Sequence, residues 1–169
     1  IAAIFLIIFV LFKSVSLPVV LLAVIEFAIF VNMGLTTYTG TIIPFIASIV
    51  IGTIQLGATV DYAILMTNEY KRNRLLGMEK QPAVAKALET SIMSIIVSAL
   101  CFFAATYGVG TYSDIDMVSQ LCSLLTRGAI ISMLAVILVL PAMFMVFDKV
   151  TLVTSIGFRK KQQNRKRRI

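Results

Sequence analysis

The sequence predicts an all-α protein, a polytopic bundle of transmembrane helices. Hydrophobic residues make up 59% of the 169-residue chain, and the mean hydropathy is +0.98. Only 14% of the residues are charged, whereas a soluble domain carries about a quarter of its residues as charged ones. No soluble core could bury this much apolar surface, so the bilayer must act as the solvent. The absence of histidine excludes histidine-based catalysis and histidine metal sites.

Five apolar segments predict five helices within a transmembrane domain of residues 1–150. The segments cover about residues 1–12, 17–32, 41–67, 90–110 and 117–147. The first would be about 18 Å of helix, which is too short to cross a bilayer, so we expect its N-terminal part to be missing from the sequence. Pro18 opens the second segment, where a missing N–H is tolerated. Pro141 should bend the last segment near one end.

The positions of the basic residues predict the orientation. Fourteen of the 15 Lys and Arg residues lie in three places: one is Lys13, five are in the block 71–86 and eight are in the end 149–168. All three places are on the same side of the membrane if the spans alternate. The loops 33–40 and 108–116 contain no Lys or Arg. This positive-inside pattern predicts an N-terminus outside and a C-terminus in the cytoplasm.

Two segments should lie in the cytoplasm. Residues 68–89 form an elbow, whose last part alternates apolar and charged residues and predicts an interfacial helix that leads into the fourth span. Residues 151–169 form a basic tail, which we expect to be a solvated stop signal. Binding of this tail to anionic lipid, at roughly 1 kcal/mol for each basic residue near the surface, is the alternative.

Asp61 is the only charged residue in the apolar run 41–67. An ionised Asp near a bilayer centre costs about 2.5–3.5 kcal/mol on insertion scales. A membrane helix that keeps such a residue commonly uses it to carry protons or ions, and a buried carboxyl can take up and release a proton near neutral pH. The alternative is a neutral carboxyl that neighbouring hydroxyls satisfy and that has only a structural role.

Small side chains form a stripe on the following span. Its members recur at spacings of three and four: Ser91, Ser94, Ser98, Cys101 and Ala105. Such stripes let helices approach closely in lipid. Asp61 would lie about 9 Å from the inner end of its helix, and Ser94 and Ser98 about 6–12 Å deep on the antiparallel neighbour. We therefore hypothesise a packed polar pocket of Asp61, Tyr62, Ser94 and Ser98.

Glu26 and Arg127 are the other charges within apolar segments. Glu26 lies in the middle of its span and is either a further relay carboxyl or a satisfied structural group. Arg127 should lie near the outer boundary, about 30 Å from the inner face, where it could snorkel or pair with Asp114 or Asp116. A role for Arg127 in proton coupling is a further alternative.

No pattern in the sequence predicts an enzyme. The spacing of its residues resembles no nucleophile–base pair, phosphate-binding loop or metal site, and we expect no cofactor. Cys101 and Cys122 both fall in apolar runs. We expect them to be small buried side chains instead of a disulfide or a metal pair.

Several motifs resemble the MMPL family, membrane permeases of the resistance–nodulation–division (RND) superfamily. The run Gln55-Leu-Gly-Ala-Thr-Val-Asp61-Tyr62, with residues 68–74 after it, is similar to the fourth helix of an MMPL repeat. The run 26–33 resembles the third helix of that repeat. The runs 126–132 and 138–143 resemble the last helix. The likeness extends over nearly the whole chain except the basic tail.

The resemblance implies both an architecture and a mechanism. Family members have two six-helix repeats, each with an extracytoplasmic domain and a proton-carrying Asp-Tyr pair in its fourth helix. Asp61 and Tyr62 would be one such pair, with Ser94, Ser98 and Glu26 as possible support. The chain would supply helices two to six of the C-terminal repeat, and a half-size protein that dimerises would look the same.

The resemblance also implies a function, an exporter of lipids, hydrophobic compounds or drugs that the proton gradient drives. It would be a multi-pass protein of the plasma membrane. Its partners would be membrane lipids, the missing repeat and extracytoplasmic domain and a hydrophobic substrate, but no nucleic acid. A protein-export auxiliary of the same superfamily is one alternative, although its fourth helix normally lacks the Asp-Tyr element. A non-transporting sensor or scaffold, similar to sterol-sensing relatives, is another.

Overall fold

The computed structural model is an all-helical bundle and describes residues 2–12, 14–38 and 45–154. Its elements are α1 (Ala2–Phe12), α2 (Ser16–Tyr38), α3 (Phe45–Leu75), α4 (Lys80–Tyr112) and α5 (Asp116–Thr154). Four stretches are long and apolar enough to cross a membrane: Ser16–Thr36, Ser48–Leu75, Lys80–Tyr112 and Asp116–Phe147. The predicted fold class, a bundle of apolar membrane helices, is confirmed.

Several helices extend beyond the apolar runs that predicted them. α2 continues to Tyr38, through most of the predicted loop 33–40. The expected elbow 68–89 is not a separate helix, because α3 continues to Leu75 and α4 begins at Lys80. Hydropathy marks the part of a helix that suits lipid, whereas the helix itself ends where its backbone is capped. The inside–outside orientation stays a prediction.

A glycine-terminated cap joins α3 to α4. Gly77 has a φ of 93°, in the left-handed region that glycine adopts without strain. The N–H of Gly77 donates to the carbonyl of Arg74 (3.1 Å), and the N–H of Met78 donates to that of Asn73 (3.3 Å), which is the Schellman pattern. The buried side chain of Asn73 then donates to the carbonyl of Ala83 (3.3 Å). This bond fixes the register of the two antiparallel helices near the turn.

Small side chains bring α4 against its neighbours. The buried face of α4 carries Ala83, Ala87, Ser91, Ile95 and Ala99. Near its far end Gly110 approaches α5 so closely that an added Cβ would lie 3.0 Å from the Cβ of Cys122. The hydroxyl of Thr126 donates to that of Thr106 at 2.9 Å between the same two helices. Close backbone approach with hydroxyl bridges is how helices associate in lipid.

α1 is the short apolar helix that the sequence predicted, and it packs mainly against α2. Ile8 and Phe12 are its buried side chains. The ammonium of Lys71 on α3 donates to the carbonyl of Phe12 at 3.0 Å and lies 5.6 Å from the centroid of the Phe12 ring. The last turn of α1 is therefore bonded to α3 as well as packed on α2.

Lys71 belongs to one end of the bundle that we call the basic end, where the turn joins α3 to α4. Its basic residues are Lys71, Arg72, Arg74, Lys80 and Lys86. The aromatic rings of Tyr70 and Phe144 stack near this end with centroids 4.6 Å apart. Lys13, the start of the third apolar run at 41–44 and the tail from residue 155 onward lie outside the described residues.

Candidate functional site

Asp61 and Tyr62 lie in α3 and face different surroundings. Tyr62 is buried in the main hydrophobic cluster, whereas Asp61 is exposed on the surface of this bundle. In the part of the chain that the structure describes, no hydrogen bond or ion pair joins the Asp61 carboxylate to another residue. Because consecutive helical residues point about 100° apart, one side chain can enter the core while its neighbour points out. The carboxylate is therefore open to whatever lies outside α3.

Ser94, in the stripe of small residues on α4, lies level with Tyr62 on α3. Asn73 and Ala83 contact each other near the turn. Tyr62 stands 11 residues before Asn73 and Ser94 stands 11 residues after Ala83, so both lie about 16 Å from that contact along their helices.

The described residues do not bring the expected packed pocket together. Ser94 and Ser98 are exposed on this bundle, as Asp61 is, and among the described residues no hydrogen bond connects them to Asp61 or Tyr62. The serine that enters the core is Ser91, which is 1% exposed and whose hydroxyl has no partner in the described structure. Ser94 lies three residues and about 300° farther round the helix, which places it beside the buried face instead of on it.

The sequence also singled out Glu26 and the two cysteines. Glu26 is half-buried on α2, and no hydrogen bond or ion pair between it and Asp61 occurs among the described residues. Cys101 is exposed, so the expectation that it is buried is wrong, and Cys122 is half-buried. Both are free thiols. The described residues contain no group of three or more His, Cys, Asp or Glu that could hold a metal ion.

A second polar site lies between α2, α3 and α5. Gln55 is 2% exposed and Asn32 and Ser132 are each 1% exposed. The amide nitrogen of Asn32 donates to the amide oxygen of Gln55 (2.8 Å) and to the carbonyl of Leu124 (3.3 Å). The amide nitrogen of Gln55 donates to the hydroxyl of Ser132 at 3.0 Å. Every bond crosses between helices, so these side chains join three spans.

Arg127 completes this network. Its Nε donates to the side-chain oxygen of Asn32 (3.1 Å), and one terminal nitrogen donates to the backbone carbonyl of Asn32 (3.0 Å). Of the two alternatives, snorkelling and pairing with Asp114 or Asp116, pairing does not occur, since within the described residues Arg127 forms no ion pair. Arg127 lies on α5, and both of these acceptor oxygens belong to Asn32 on α2. We call Asn32, Gln55, Arg127 and Ser132 the amide clasp.

Gly128 leaves the space that the amide clasp occupies. A Cβ added at Gly128 would lie 2.7 Å from the amide nitrogen of Asn32 and 2.9 Å from the amide oxygen of Gln55. Real Cβ atoms essentially never come so close. The absence of a side chain at this position is therefore a condition for the Asn32–Gln55 bond.

Sequence reasoning missed the amide clasp because three of its four members carry no charge. Gln55 lies inside an apolar run, and Asn32 was placed at the end of its span, so neither was considered as a site residue. The signal that could have found them is the presence of an uncharged amide within each of two membrane segments, since an amide in lipid needs a partner. The adjacent pair Arg127 and Gly128 on a third segment would have completed the pattern.

Comparison with known proteins gives one match. The family model described as MMPL family matches residues 1–168. No curated protein and no solved structure matches the chain. The matched range includes both the Asp61 surface and the amide clasp.

Proposed function

Because the chain belongs to the MMPL family, and so to a family of membrane transporters, we propose that it is part of an exporter that the proton-motive force drives. The substrates in this proposal are lipids, hydrophobic compounds or drugs. Asp61 is the proton-carrying carboxyl and Tyr62 is its neighbour in the relay. Ser94 and Ser98 supply hydroxyls on the adjacent helix, and Glu26 is a second carboxyl within the membrane.

The exposed position of Asp61 in a candidate membrane span is the observation that carries this proposal. A carboxylate within a lipid-crossing helix needs a proton, a cation or a hydrogen-bond donor. Among the described residues, Asp61 has no such donor. The Asp61 carboxylate can therefore bind a proton or contact groups outside this five-helix unit. A carboxylate with hydrogen-bond partners inside the bundle would not be available in this way.

Protonation of Asp61 supplies the switch in this mechanism. Adding the proton removes the negative charge and converts one oxygen from an acceptor to a donor. The two states then favour different arrangements of α3 against the groups that face it. A difference in free energy between the two arrangements is what allows a proton gradient to drive alternating access. The groups that face Asp61 would belong to the other repeat, and the extracytoplasmic domain would move with it.

The test uses the complete protein in liposomes with an imposed pH gradient and ethidium, a fluorescent hydrophobic cation, as the transported probe. We expect Asp61→Asn to abolish ethidium movement at an unchanged protein level, because the amide cannot exchange a proton. Asp114→Asn is the matched control, since it removes an exposed carboxylate outside the apolar spans. Full transport by Asp61→Asn would contradict the proposal.

Ethidium transport in liposomes and protein secretion in cells together separate the alternatives. A sensor or scaffold would move no probe, and an uncoupler would change nothing. A protein-export auxiliary would leave ethidium movement absent but make the secretion of exported proteins depend on Asp61.

A further inference from the structure

The amide clasp is a directed chain of hydrogen bonds that begins at a cation. The guanidinium of Arg127 donates to the side-chain oxygen of Asn32. The amide nitrogen of Asn32 donates to Gln55, and the amide nitrogen of Gln55 donates to Ser132. Each amide thus accepts at one end and donates at the other. Neither amide can turn over without placing like groups against each other at a buried position.

The clasp also limits the rotation of α3 about its own axis. Besides Ser132, the amide nitrogen of Gln55 faces the backbone carbonyls of Ala28 on α2 and Gly128 on α5, each at 3.5 Å. The head of this side chain is therefore surrounded by acceptors from two other helices. A turn of α3 in either direction would withdraw Gln55 from these acceptors and leave buried polar groups unpaired.

Gln55 and Asp61 are rigidly related because both lie in one uninterrupted helix. They are six residues apart, which places Asp61 roughly 240° round the axis and about 9 Å along it. With Gln55 held between α2 and α5, Asp61 must point away from them. The exposed position of Asp61 therefore follows from the seating of Gln55.

We propose that the amide clasp positions Asp61, by holding α3 in the one rotational setting that presents this carboxylate on the outside of the five-helix unit. The proposal rests on the proposed proton-driven function. In it Asn32, Gln55, Arg127 and Ser132 are positioning residues that act through α3 and do not carry the proton. When the clasp is loosened, α3 turns, and the surroundings of Asp61 change although no residue next to it has been altered.

The experiment loosens the clasp through Gly128→Ala in the complete protein, because the added methyl group separates Asn32 from Gln55. Gly52→Ala is the matched control, since nothing lies within 4 Å of a Cβ added at that position of α3. The probe is dicyclohexylcarbodiimide, which modifies protonated carboxyls in apolar surroundings, and the modified Asp61 peptide is measured by mass spectrometry from pH 5 to pH 9. Both variants leave Tyr62 beside Asp61, Glu26 on α2 and Cys101 on α4 unchanged.

We expect Gly52→Ala to label as the parent protein does. Gly128→Ala should shift the pH midpoint of labelling by about one unit or more, the size of effect that changed burial or hydrogen bonding has on a carboxyl. The pH profile of ethidium transport should shift with it. Identical labelling midpoints in Gly128→Ala and Gly52→Ala would overturn the proposal.

A second pair of variants covers a failure of Gly128→Ala to fold. Ser132→Ala removes one acceptor of Gln55, and Ser91→Ala removes an equally buried serine hydroxyl that has no partner among the described residues. We expect a labelling shift only in Ser132→Ala, and equal midpoints would again overturn the proposal. Because labelling needs no transport, its outcome is independent of the proposed function, which fails if Asp61→Asn still transports.

Discussion

Gln55 and Asp61 lie six residues apart on one helix and have opposite surroundings. The amide of Gln55 is buried and bonded to α2 and α5, whereas the carboxylate of Asp61 is exposed and has no hydrogen-bond partner among the described residues. The uncharged Gln55 connects α3 to α2 and α5, whereas the charged Asp61 stays available for a proton or for groups outside the bundle. A polar residue in a membrane helix therefore indicates function through its lack of partners within the bundle more than through its polarity.

Asn32→Ala should give the largest loss of stability. It removes the side chain that joins Arg127 to Gln55, so the Nε of Arg127 and the buried amide oxygen of Gln55 each lose a hydrogen bond, which costs about 1–3 kcal/mol. The thermal unfolding midpoint in detergent, followed by circular dichroism, measures the loss. Asn68→Ala is the matched control, because Asn68 is exposed on the same bundle. Equal midpoints for the two variants would show that the amide clasp does not stabilise the fold.

Ser132→Ala should have a smaller effect. It deletes one hydrogen bond between α3 and α5, and such bonds between membrane helices contribute about 0.6 kcal/mol on average. Ser91→Ala should cost less than this, since the hydroxyl it removes has no described partner. Unfolding midpoints measured side by side under the same conditions compare the two. A greater loss in Ser91→Ala than in Ser132→Ala would contradict the assignment of Ser132 to the clasp.

Asp61→Asn should cause the smallest loss of stability, at most about 0.5 kcal/mol, because the carboxylate it replaces is exposed and has no partner among the described residues. The same substitution should abolish transport. Measured together, an unchanged unfolding midpoint and a lost activity would separate the two polar sites on α3 by function. A loss of stability as large as that of Asn32→Ala would instead mean that Asp61 has a structural role.

The sequence predicted the parts of this structure that depend on one helix at a time. Apolar run lengths identified the membrane helices and the shortness of α1. The isolated charge made Asp61 a candidate, and helix arithmetic predicted that Ser94 lies level with the Asp61–Tyr62 pair. The ends of α3 and α4 were missed because they depend on the cap at Gly77, which hydropathy does not report.

The sequence could not predict contacts that depend on how helices turn toward one another. Ser94 and Ser98 lie beside the buried face of α4. Periodicity gives the angle between two faces of a helix but does not say which face contacts a neighbouring helix. The amide clasp needs side chains from three helices at one depth, with Gly128 leaving room for them. No single segment carries that information.

The bond from Lys71 to the carbonyl of Phe12 has a mechanical consequence. Lys71 and Asp61 belong to the same rigid helix, about 15 Å apart along its axis. A displacement of α3 at Asp61 would therefore exert tension on the last turn of α1 through a charge-assisted bond, in addition to any force that α2 transmits by packing. α1 would therefore move together with α3 at the basic end, because the bond connects α1 to the helix that carries Asp61.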